Sequence, residues 1–221
     1  MSSFHLVLFG PPGAGKGTQA RRLALRYGLS PIATGDMMRA EREAQSELGL
    51  KVQEYLANGM LVPDQIVAAM VEKRIASRGS DKGVIFDGYP RTVPQAEGLD
   101  AFLQSRGESI SLVVALNVPV EEIISRLSGR RICLNCGRVH HILSDPPKEG
   151  KCSSCGSDRL VQRDDDSEEV ARRRFEEYKS KTEPVLEHYK AKNTLALVDG
   201  VGLTEVVETR IVEAIESRIS I

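Results

Sequence analysis

The chain of 221 residues alternates short apolar runs with longer segments of helical periodicity. The apolar runs lie at residues 4–10, 31–34, 83–91, 111–118 and 194–200. Short runs without polar alternation are typical of strands that are buried on both faces of a parallel sheet. The pattern therefore predicts an α/β fold in which helices cover both faces of a five-stranded parallel sheet.

The segments between these runs carry apolar residues at helical spacing. In the first of them, residues 17–28, Ala20 and Leu23 share one face, and Gly28 is suited to the C-cap. Pro184 should break or kink the long charged helix of the C-terminal part, because proline has no N–H to donate. Further helices are predicted at residues 35–44, 46–59, 63–79 and 119–130, from about residue 165, and at 203–219.

A glycine-rich loop, GPPGAGKGTQ at residues 10–19, follows the first apolar run and precedes the first predicted helix. It fits the phosphate-binding pattern G-x-x-x-x-G-K, in which backbone N–H groups face an anion and Lys16 reaches the outer phosphates. Gly17 stands where Ser or Thr usually ligates magnesium, and Thr18 comes one place later. We therefore expect Mg²⁺ to be held there by phosphate oxygens and water.

Two further motifs follow predicted strands and indicate a second phosphate site. ATGDMMR, at residues 33–39, places Arg39 in the first turns of a helix that begins near Gly35. FDGYPRTVPQAE, at residues 86–97, places Asp87 at a strand end, followed by Arg91 and Gln95. Arginines offer bidentate bonds to phosphate, and a carboxylate suits a place near Mg²⁺. Ligands of parallel sheets bind beyond the carboxyl ends of the strands, where these motifs fall.

Composition and charge are those of an ordinary globular protein. Hydrophobic residues make up 41% and charged residues 28%, with a formal net charge of −1, which argues against bulk nucleic-acid binding. No run of eighteen apolar residues exists, so no membrane span is expected. The opening residues MSSFHLVLFG have no basic region and no small-residue cleavage site, so we interpret them as a strand and expect a cytoplasmic protein.

All four cysteines lie in one stretch, as two CxxC pairs separated by fifteen residues: Cys133, Cys136, Cys152 and Cys155. This spacing is typical of a closed tetrahedral zinc site with a structural role, and the same four sulfurs could also hold iron. Disulfides are the less favoured interpretation in a cytoplasmic protein. Between the pairs, His140 and His141 are predicted to be exposed or packing residues.

The cysteine segment also permits a different class of function. Residues 126–163 hold eight basic and three acidic residues, a net charge of +5. A basic zinc ribbon could bind nucleic acid, with a steep dependence on salt. The same charge suits a lid that closes on a polyphosphate, and five of the eight basic residues lie at or beside the ends of the segment.

Taken together, the motifs resemble adenylate kinases, and the bacterial long-lid form in particular. GPPGAGKGTQ, ATGDMMR, DGYPRT with Gln95, LSGRR at 127–131 and QRDDDSEEVARRR at 162–174 occur in the order and spacing of that family. The resemblance covers essentially the whole chain. It implies a P-loop nucleoside monophosphate kinase fold and the reaction Mg·ATP + AMP ⇌ Mg·ADP + ADP, which serves adenine nucleotide homeostasis. It further implies a monomer with a core at 1–32, 63–125 and 165–221, an AMP-binding domain at 33–62 and a lid at 126–164.

The same resemblance implies the roles of individual residues. ATP would be bound by Gly13, Ala14, Gly15, Lys16, Gly17, Thr18, Arg126 and Arg130. AMP would be bound by Thr34, Arg39, Val62, Gly88, Arg91, Gln95, Arg163 and Arg174. Catalysis would rest on Lys16, Asp87, Arg91, Arg130, Arg163 and Arg174, with Asp165 and Asp166 at the hinge of the lid. Because the attacking AMP oxygen is already anionic, this chemistry needs cations and positioning and no general base.

Three alternatives remain open on the sequence. A UMP/CMP kinase is the first, although the threonine at position 34 goes with AMP in this family and an alanine goes with pyrimidine nucleotides. A zinc-ribbon binding module on a P-loop core is the second. A P-loop hydrolase is the third, and it would need a residue that positions water near Asp87.

Overall fold

In the computed structural model, residues 3–58, 60–77 and 83–218 are described. The strands of the main sheet are β1 Phe4–Phe9, β2 Ser30–Ala33, β3 Gly83–Asp87, β4 Leu112–Asn117 and β8 Leu195–Asp199. The helices are α1 Lys16–Tyr27, α2 Thr34–Glu43, α3 Glu47–Ala57, α4 Asp64–Ala76, α5 Val93–Ser105, α6 Val120–Ser128, α7 Glu168–Glu177, α8 Val185–Ala191 and α9 Thr204–Glu216. The predicted helix ends at 59, 79 and 219 lie outside the described residues.

The main sheet is parallel throughout, with the strand order β2-β3-β1-β4-β8. Successive side chains of β1 point to opposite faces of it. Leu6 and Leu8 are buried with residues of α1, α6 and α9, whereas Val7 and Phe9 are buried with residues of α4, α5 and α8. Both faces are therefore covered by helices, which confirms the predicted fold class.

The cysteine segment forms a small domain of its own. Three short antiparallel strands, β5 Arg130–Cys133, β6 Val139–His141 and β7 Leu160–Val161, pair in the order β6-β5-β7. This sheet is separate from the main one and lies between α6 and α7 in the chain. The segment is thus an insertion between two helices of the α/β fold.

The helix between β3 and β4 was not predicted. Gly98 weakens the helical pattern of residues 93–105, whereas Pro94 lies in the first turn, where proline is tolerated. The helix α5 forms there, with Thr92 accepting a hydrogen bond from the Gln95 amide at 3.2 Å as the N-cap. Its buried face, Ala96, Leu99 and Leu103, packs in the core. Burial of this face outweighs the poor helix propensity of the sequence.

The long charged helix is interrupted earlier than Pro184. A 3₁₀ turn spans Asp164–Asp166, α7 begins at Glu168, and a π-helical turn covers Tyr178–Thr182 before α8. The ring of a proline collides with the carbonyl four residues before it, so a regular α-helix cannot continue up to Pro184. The wider turn relieves that collision, and the Glu183 amide donates to the Tyr178 carbonyl at 2.8 Å.

No helix among the described residues is long and apolar enough to cross a membrane.

Candidate active site and metal centre

The carboxyl ends of three neighbouring strands bring the sequence motifs together. β3 lies between β2 and β1, and Asp87 at its end pairs with Ala33 on one side and Leu8 on the other. The glycine loop follows β1, and α2 starts at Thr34, one residue before its predicted start. The phosphate loop, Asp87 and the ATGDMMR motif therefore lie at one edge of the sheet, as predicted.

Lys16 is folded back over the glycine loop. Its Nζ donates to the carbonyl oxygens of Gly10 at 2.7 Å and Pro11 at 2.8 Å. Burial lowers the pKa of Lys16 to about 7, with Asp87 opposing the shift and Arg91 adding to it. The lysine is thus held in a desolvated place beside other cations, where an anionic ligand would favour its charged form.

Gly17 and Asp87 approach each other closely. A Cβ atom built at Gly17 would lie 3.0 Å from Oδ2 of Asp87, tighter than ordinary contact. Burial raises the pKa of Asp87, while Lys16 and then Arg91 act in the opposite direction. The glycine in the place of the usual Ser or Thr therefore leaves room for this carboxylate beside the phosphate loop.

A hydrogen-bonded network joins the predicted AMP-binding residues. The carbonyl of Gly88 accepts from Oγ1 of Thr34 at 2.9 Å and from Nε of Arg91 at 2.8 Å. The backbone N–H of Arg91 donates to Oε1 of Gln95 at 2.7 Å. Burial is the main cause that lowers the pKa of Arg91 to about 10, and repulsion from Arg174 is the second. Two predicted motifs, distant in the sequence, thus form one rigid unit.

The remaining arginines of the site are paired with three acidic residues. Arg130 donates to Asp166 through Nε at 2.7 Å, and Arg174 donates to Asp165 at 2.7 Å. Asp166 is fully buried. These two ion pairs connect the start of β5 and α7 to the 3₁₀ turn that precedes α7.

Asp36 joins the other two arginines. Arg39 is paired with Asp36 in the first turn of α2, and Nη2 of Arg163 lies 3.4 Å from Oδ1 of the same carboxylate. Burial is the main cause that lowers the pKa of Arg163 to about 10, and repulsion from Arg39 is the second. One carboxylate therefore links the segment after β2 to the end of the cysteine segment.

Two clefts meet at Arg91 and Arg174. The first, with about 520 Å³ of empty space, is lined by the loop residues Gly10, Pro12 and Lys16. The second, with about 530 Å³, is lined by Thr34, Arg39, Val62 and Gln95 among others. Both are also lined by Leu61, Gly88, Arg91 and Arg174. The arrangement suits two anionic ligands whose charged ends face each other across Arg91 and Arg174.

The other predicted ATP residues lie on or next to the same loop and on α6. Gly13, Ala14 and Gly15 belong to the loop before α1, and Thr18 lies in the first turn of α1, where its amide donates to the Gly15 carbonyl at 3.0 Å. Arg126 lies at the end of α6 and donates to Glu122 at 2.8 Å. The loop residues thus lie together at the start of α1, whereas Arg126 lies at the end of α6, just before the cysteine segment.

The four cysteines converge on one point. Sγ of Cys133 lies 3.6 Å from Sγ of Cys155, Sγ of Cys136 lies 3.6 Å from that of Cys152, and all four sulfurs are within 4.8 Å of one another. Sulfurs around a tetrahedral zinc ion at 2.3 Å are about 3.8 Å apart, whereas a disulfide needs about 2.05 Å. The four thiols are free, and their arrangement fits a metal ion and not disulfides.

The two CxxC pairs have the same local geometry. Gly137 and Gly156 both have φ of 72°, and their amides donate to the carbonyls of Cys133 at 2.9 Å and Cys152 at 2.8 Å. These turns direct backbone N–H groups at the sulfurs of Cys136 and Cys152, which acts to lower the pKa of both thiols. At Cys136 burial and the neighbouring sulfurs outweigh this effect and raise the pKa to about 11. His140 is buried with Nε2 3.4 Å from Sγ of Cys152, and this bond lowers the pKa of that thiol to about 5.

Three residues of these sites were not singled out by the sequence. Asp64 accepts from Nε2 of Gln95 at 2.7 Å and from Oγ1 of Thr92 at 2.6 Å. Asp36 binds two arginines, and His140 contacts the sulfur of Cys152. An acidic residue in the first turn of a helix is ordinarily explained by its favourable interaction with the helix dipole. The sequence therefore gave no reason to assign Asp36 and Asp64 to the site. His140 was predicted only as a packing or exposed residue.

Comparison with known proteins identifies the family. A family model described as adenylate kinase matches residues 8–194. The chain is 47% identical over 197 residues to an adenylate kinase of Archaeoglobus fulgidus, covering 89% of this chain and 90% of that protein. It is 46% identical over 212 residues to one of Carboxydothermus hydrogenoformans, covering 96% and 99%. It is 45% identical over 214 residues to one of Geobacter sp. strain M21, covering 96% and 100%.

These matches extend over the phosphate loop, the paired arginines and the cysteine segment, and they confirm the predicted resemblance. The chain belongs to the adenylate kinase family, whose members are phosphotransferases of the reversible reaction of ATP and AMP to two ADP.

Proposed function

We propose that Lys16 and five arginines carry the phosphoryl transfer of this enzyme. The observation that supports the proposal is the meeting of the two clefts at Arg91 and Arg174, with Lys16 lining one of them. A phosphoryl group in transfer spreads its negative charge over several oxygens, which buried cations neutralise. The cationic set is Lys16, Arg39, Arg91, Arg130, Arg163 and Arg174.

The first cleft is assigned to the phosphate end of ATP and the second to AMP. Of the predicted ATP residues, Lys16 lines the first cleft and the others lie outside its lining. The loop residues from Gly13 to Thr18 would bind the ATP phosphates, and Arg126, with Arg130, would complete that site. The second cleft combines the apolar residues Met38, Val62 and Val67 with polar Gln95, which suits a base, and with Arg39 and Arg91, which suit a phosphate. AMP would thus be bound by Thr34, Arg39, Val62, Gly88, Arg91, Gln95, Arg163 and Arg174.

The acid partners of the arginines would exchange for phosphates. Asp36, Asp165 and Asp166 are paired with the arginines of the site: Arg39, Arg163, Arg174 and Arg130. Held arginines lose less rotamer freedom when phosphate arrives, which favours binding. We assign residues 33–62 to an AMP-binding domain, 126–164 to a lid and the rest to the core, with Asp165 and Asp166 at the hinge.

Magnesium enters with ATP. Asp87 offers the carboxylate beside the phosphate loop, in a buried place next to Lys16. Mg²⁺ keeps several waters and binds few protein oxygens, so Asp87 would hold a water of the ion's shell. The ion supplies neutralisation of the β- and γ-phosphate charge.

The four cysteines are proposed as a structural zinc site in the lid. Their sulfur separations of 3.6 Å suit a closed tetrahedral site without an open position for substrate. Iron in the same ligands is the second candidate. Metal content by mass spectrometry distinguishes the two, and iron would also colour the protein.

Location and assembly follow as further proposals. Four free thiols arranged for a metal suit the reducing cytoplasm. Both clefts are lined by residues of one chain, which supports a monomer. The net charge of −1 argues against a role in binding nucleic acid.

The test of function is phosphorus NMR with Mg·ATP and equal amounts of AMP, CMP and UMP. We expect ADP to grow from ATP and AMP, with CDP and UDP far slower. The variant Thr34→Ala should lower the ratio of kcat/KM for AMP to that for CMP by about tenfold, because it removes a buried hydroxyl beside the second cleft. The variant Ser217→Ala, at the end of α9, is the matched control.

Other outcomes select the alternatives. Equal growth of CDP or UDP would support a pyrimidine nucleotide kinase. Decay of ATP to ADP and free phosphate alone would indicate a hydrolase and contradict the second nucleotide site. Salt-sensitive binding to RNA or DNA without turnover would support the zinc-ribbon module.

A further inference from the structure

The amide of Gln95 is held between two partners of opposite hydrogen-bonding character. On one side the backbone N–H of Arg91 donates to it at 2.7 Å. On the other side Oδ1 of Asp64 accepts from it at 2.7 Å. A backbone N–H can only donate and an ionised carboxylate can only accept. Oε1 must therefore face Arg91 and Nε2 must face Asp64, and the reverse orientation would meet a donor with a donor and an acceptor with an acceptor.

Asp64 is itself held. Its second oxygen accepts from Oγ1 of Thr92 at 2.6 Å, and that hydroxyl oxygen accepts from the backbone N–H of Gln95 at 3.2 Å. Asp64 stands at the first residue of α4, and Thr92 and Gln95 stand at the start of α5. The carboxylate thus connects the first turns of two helices, and Gln95 is only 4% exposed.

The fixed amide leaves one defined pair of groups for a ligand. Gln95 has two N–H donors and two oxygen lone pairs, and one of each is already used. The side chain lines the second cleft beside Thr34 and Val62. What remains is one acceptor on Oε1 and one donor on Nε2. An adenine base offers the complementary pair, the exocyclic N6 amine as donor and N1 as acceptor. A 6-oxopurine offers the opposite pair, an oxygen acceptor at C6 and an N1–H donor.

We infer that Asp64 is a positioning residue that sets the preference of the AMP site for adenine over 6-oxopurines by preventing the Gln95 amide from turning over. The inference rests on the proposed function of the second cleft and adds the residue that orients its amide. A freely turning amide would pair with either base, because a half-turn exchanges its donor and its acceptor. The Arg91 N–H and the carboxylate oppose that half-turn together. The carboxylate adds its part because it offers no hydrogen for Oε1, whereas an asparagine in its place could donate to Oε1 and so lower the cost of the reversed amide.

The test compares AMP with IMP as acceptors for Mg·ATP. IMP differs from AMP at C6 and N1 without the added amino group of GMP, so it reverses the hydrogen bonds and adds no bulk. The variant is Asp64→Asn, which keeps the shape but offers one donor and one acceptor in either order. A good bidentate contact between an amide and a base discriminates by about ten- to a hundredfold. We expect the ratio of kcat/KM for AMP to that for IMP to fall by about tenfold or more, mostly through a lower KM for IMP.

The matched control is Glu121→Gln. Glu121 is an exposed acid in the first turn of α6, so its loss removes the same helix-dipole contribution without touching the cleft. In the Glu121→Gln variant, the ratio of kcat/KM for AMP to that for IMP should equal that of the unmodified chain. The KM for ATP should be unchanged in both variants. Asp64→Ser, whose side chain is too short to reach both partners, provides the same test if the Asn variant does not fold.

A double variant shows whether Asp64 acts through Gln95. Gln95→Met removes the amide and keeps the length of the side chain. By itself it should lower the ratio of kcat/KM for AMP to that for IMP. In that background Asp64→Asn should leave the ratio unchanged, because there is no amide left to orient. An unchanged ratio in Asp64→Asn alone would overturn the inference. So would an equal loss of kcat/KM for AMP and IMP, since that is the behaviour of a merely structural residue. Failure of the unmodified chain to phosphorylate AMP would instead contradict the proposed function.

Discussion

At the scale of residues, the chemical behaviour of a side chain in this site depends on its neighbours. Lys16 follows directly from the phosphate-loop pattern, yet its surroundings decide its behaviour. Burial and the nearby arginines hold its pKa at about 7, against about 10.4 for an exposed lysine. A residue that is charged in most proteins at neutral pH is therefore poised to change its protonation when a nucleotide binds.

We predict that ATP binding is accompanied by proton uptake at Lys16. At pH 8 the ligand-free lysine is mostly neutral, because its pKa lies below the pH, and the phosphates of bound ATP raise that pKa and charge it. At pH 6 the lysine is already protonated, so it contributes no uptake. Titration calorimetry in buffers of different ionisation enthalpy measures the number of protons at each pH.

The control for this measurement is Lys16→Met. It should abolish the difference in uptake between pH 6 and pH 8 while weakening ATP binding, since the cation is lost. Equal uptake at both pH values, or uptake that persists in the variant, would assign the proton to another group.

At the scale of elements, the small size of the cysteine segment, which we propose as the lid, gives a reason for a metal site in a phosphate-binding enzyme. Its three strands contain only two to four residues each, and they form a sheet separate from the main one. A segment of this size buries too little apolar surface to be stable alone. Metal binding contributes free energy of folding directly, so a bound ion would hold the strands and both CxxC turns in one unit.

We predict that removal of the lid metal lowers the melting temperature more than it lowers the rate of the chemical step. Loss of about 2 kcal/mol corresponds to a fall of about 4–8 °C in a chain of this size. Calorimetry of the isolated protein before and after chelation, and again after zinc is added back, measures the change. Cys136→Ser, which removes one ligand, should behave like the stripped protein.

An unchanged melting temperature after complete removal of metal would show that the lid is stable without it. An equal loss of melting temperature in Ser144→Ala, a lid variant that retains all four sulfurs, would show that the lid is sensitive to any change and not to the metal in particular.

At the scale of the whole molecule, residues of one chain line both of the clefts that we assign to nucleotides. Each cleft is lined by residues of the core, and the second also by residues of α2 and α3. The contact of Arg163 with Asp36 spans residues separated by 127 positions and joins the end of the lid to the AMP side. The proposed lid and the proposed AMP-binding domain are thus linked by a contact between Arg163, at the end of the lid, and Asp36.

We predict that the protein is a monomer that binds two ADP molecules per chain in the presence of Mg²⁺. The reverse reaction uses two ADP, and one would occupy each cleft. Light scattering after size exclusion measures the mass, and calorimetric titration measures the number of sites. Arg91→Ala should weaken binding at both sites, because this arginine lines both clefts, whereas Arg39→Ala should weaken only one.

A dimer mass that is retained on dilution, or a single ADP per chain with full activity, would contradict this prediction.

The sequence by itself determined the alternation of strands and helices, the phosphate loop, the arginine motifs and the spacing of the cysteines. These are local properties, because strand burial and loop chemistry depend on neighbouring residues in the chain, and the family resemblance was carried by such motifs. Only the tertiary structure decided the partners of those motifs: Asp64 for Gln95, Asp36 for Arg163, His140 for Cys152 and Asp166 for Arg130.

The physical reason is that a hydrogen bond between residues far apart in the chain leaves no periodic trace in the sequence. An aspartate in the first turn of a helix has the same local pattern whether it faces water or orients an amide. The helix α5, with its internal glycine and early proline, likewise formed because the core offered a surface to bury Leu99 and Leu103. Composition and periodicity determine which elements form, and packing determines which side chains meet.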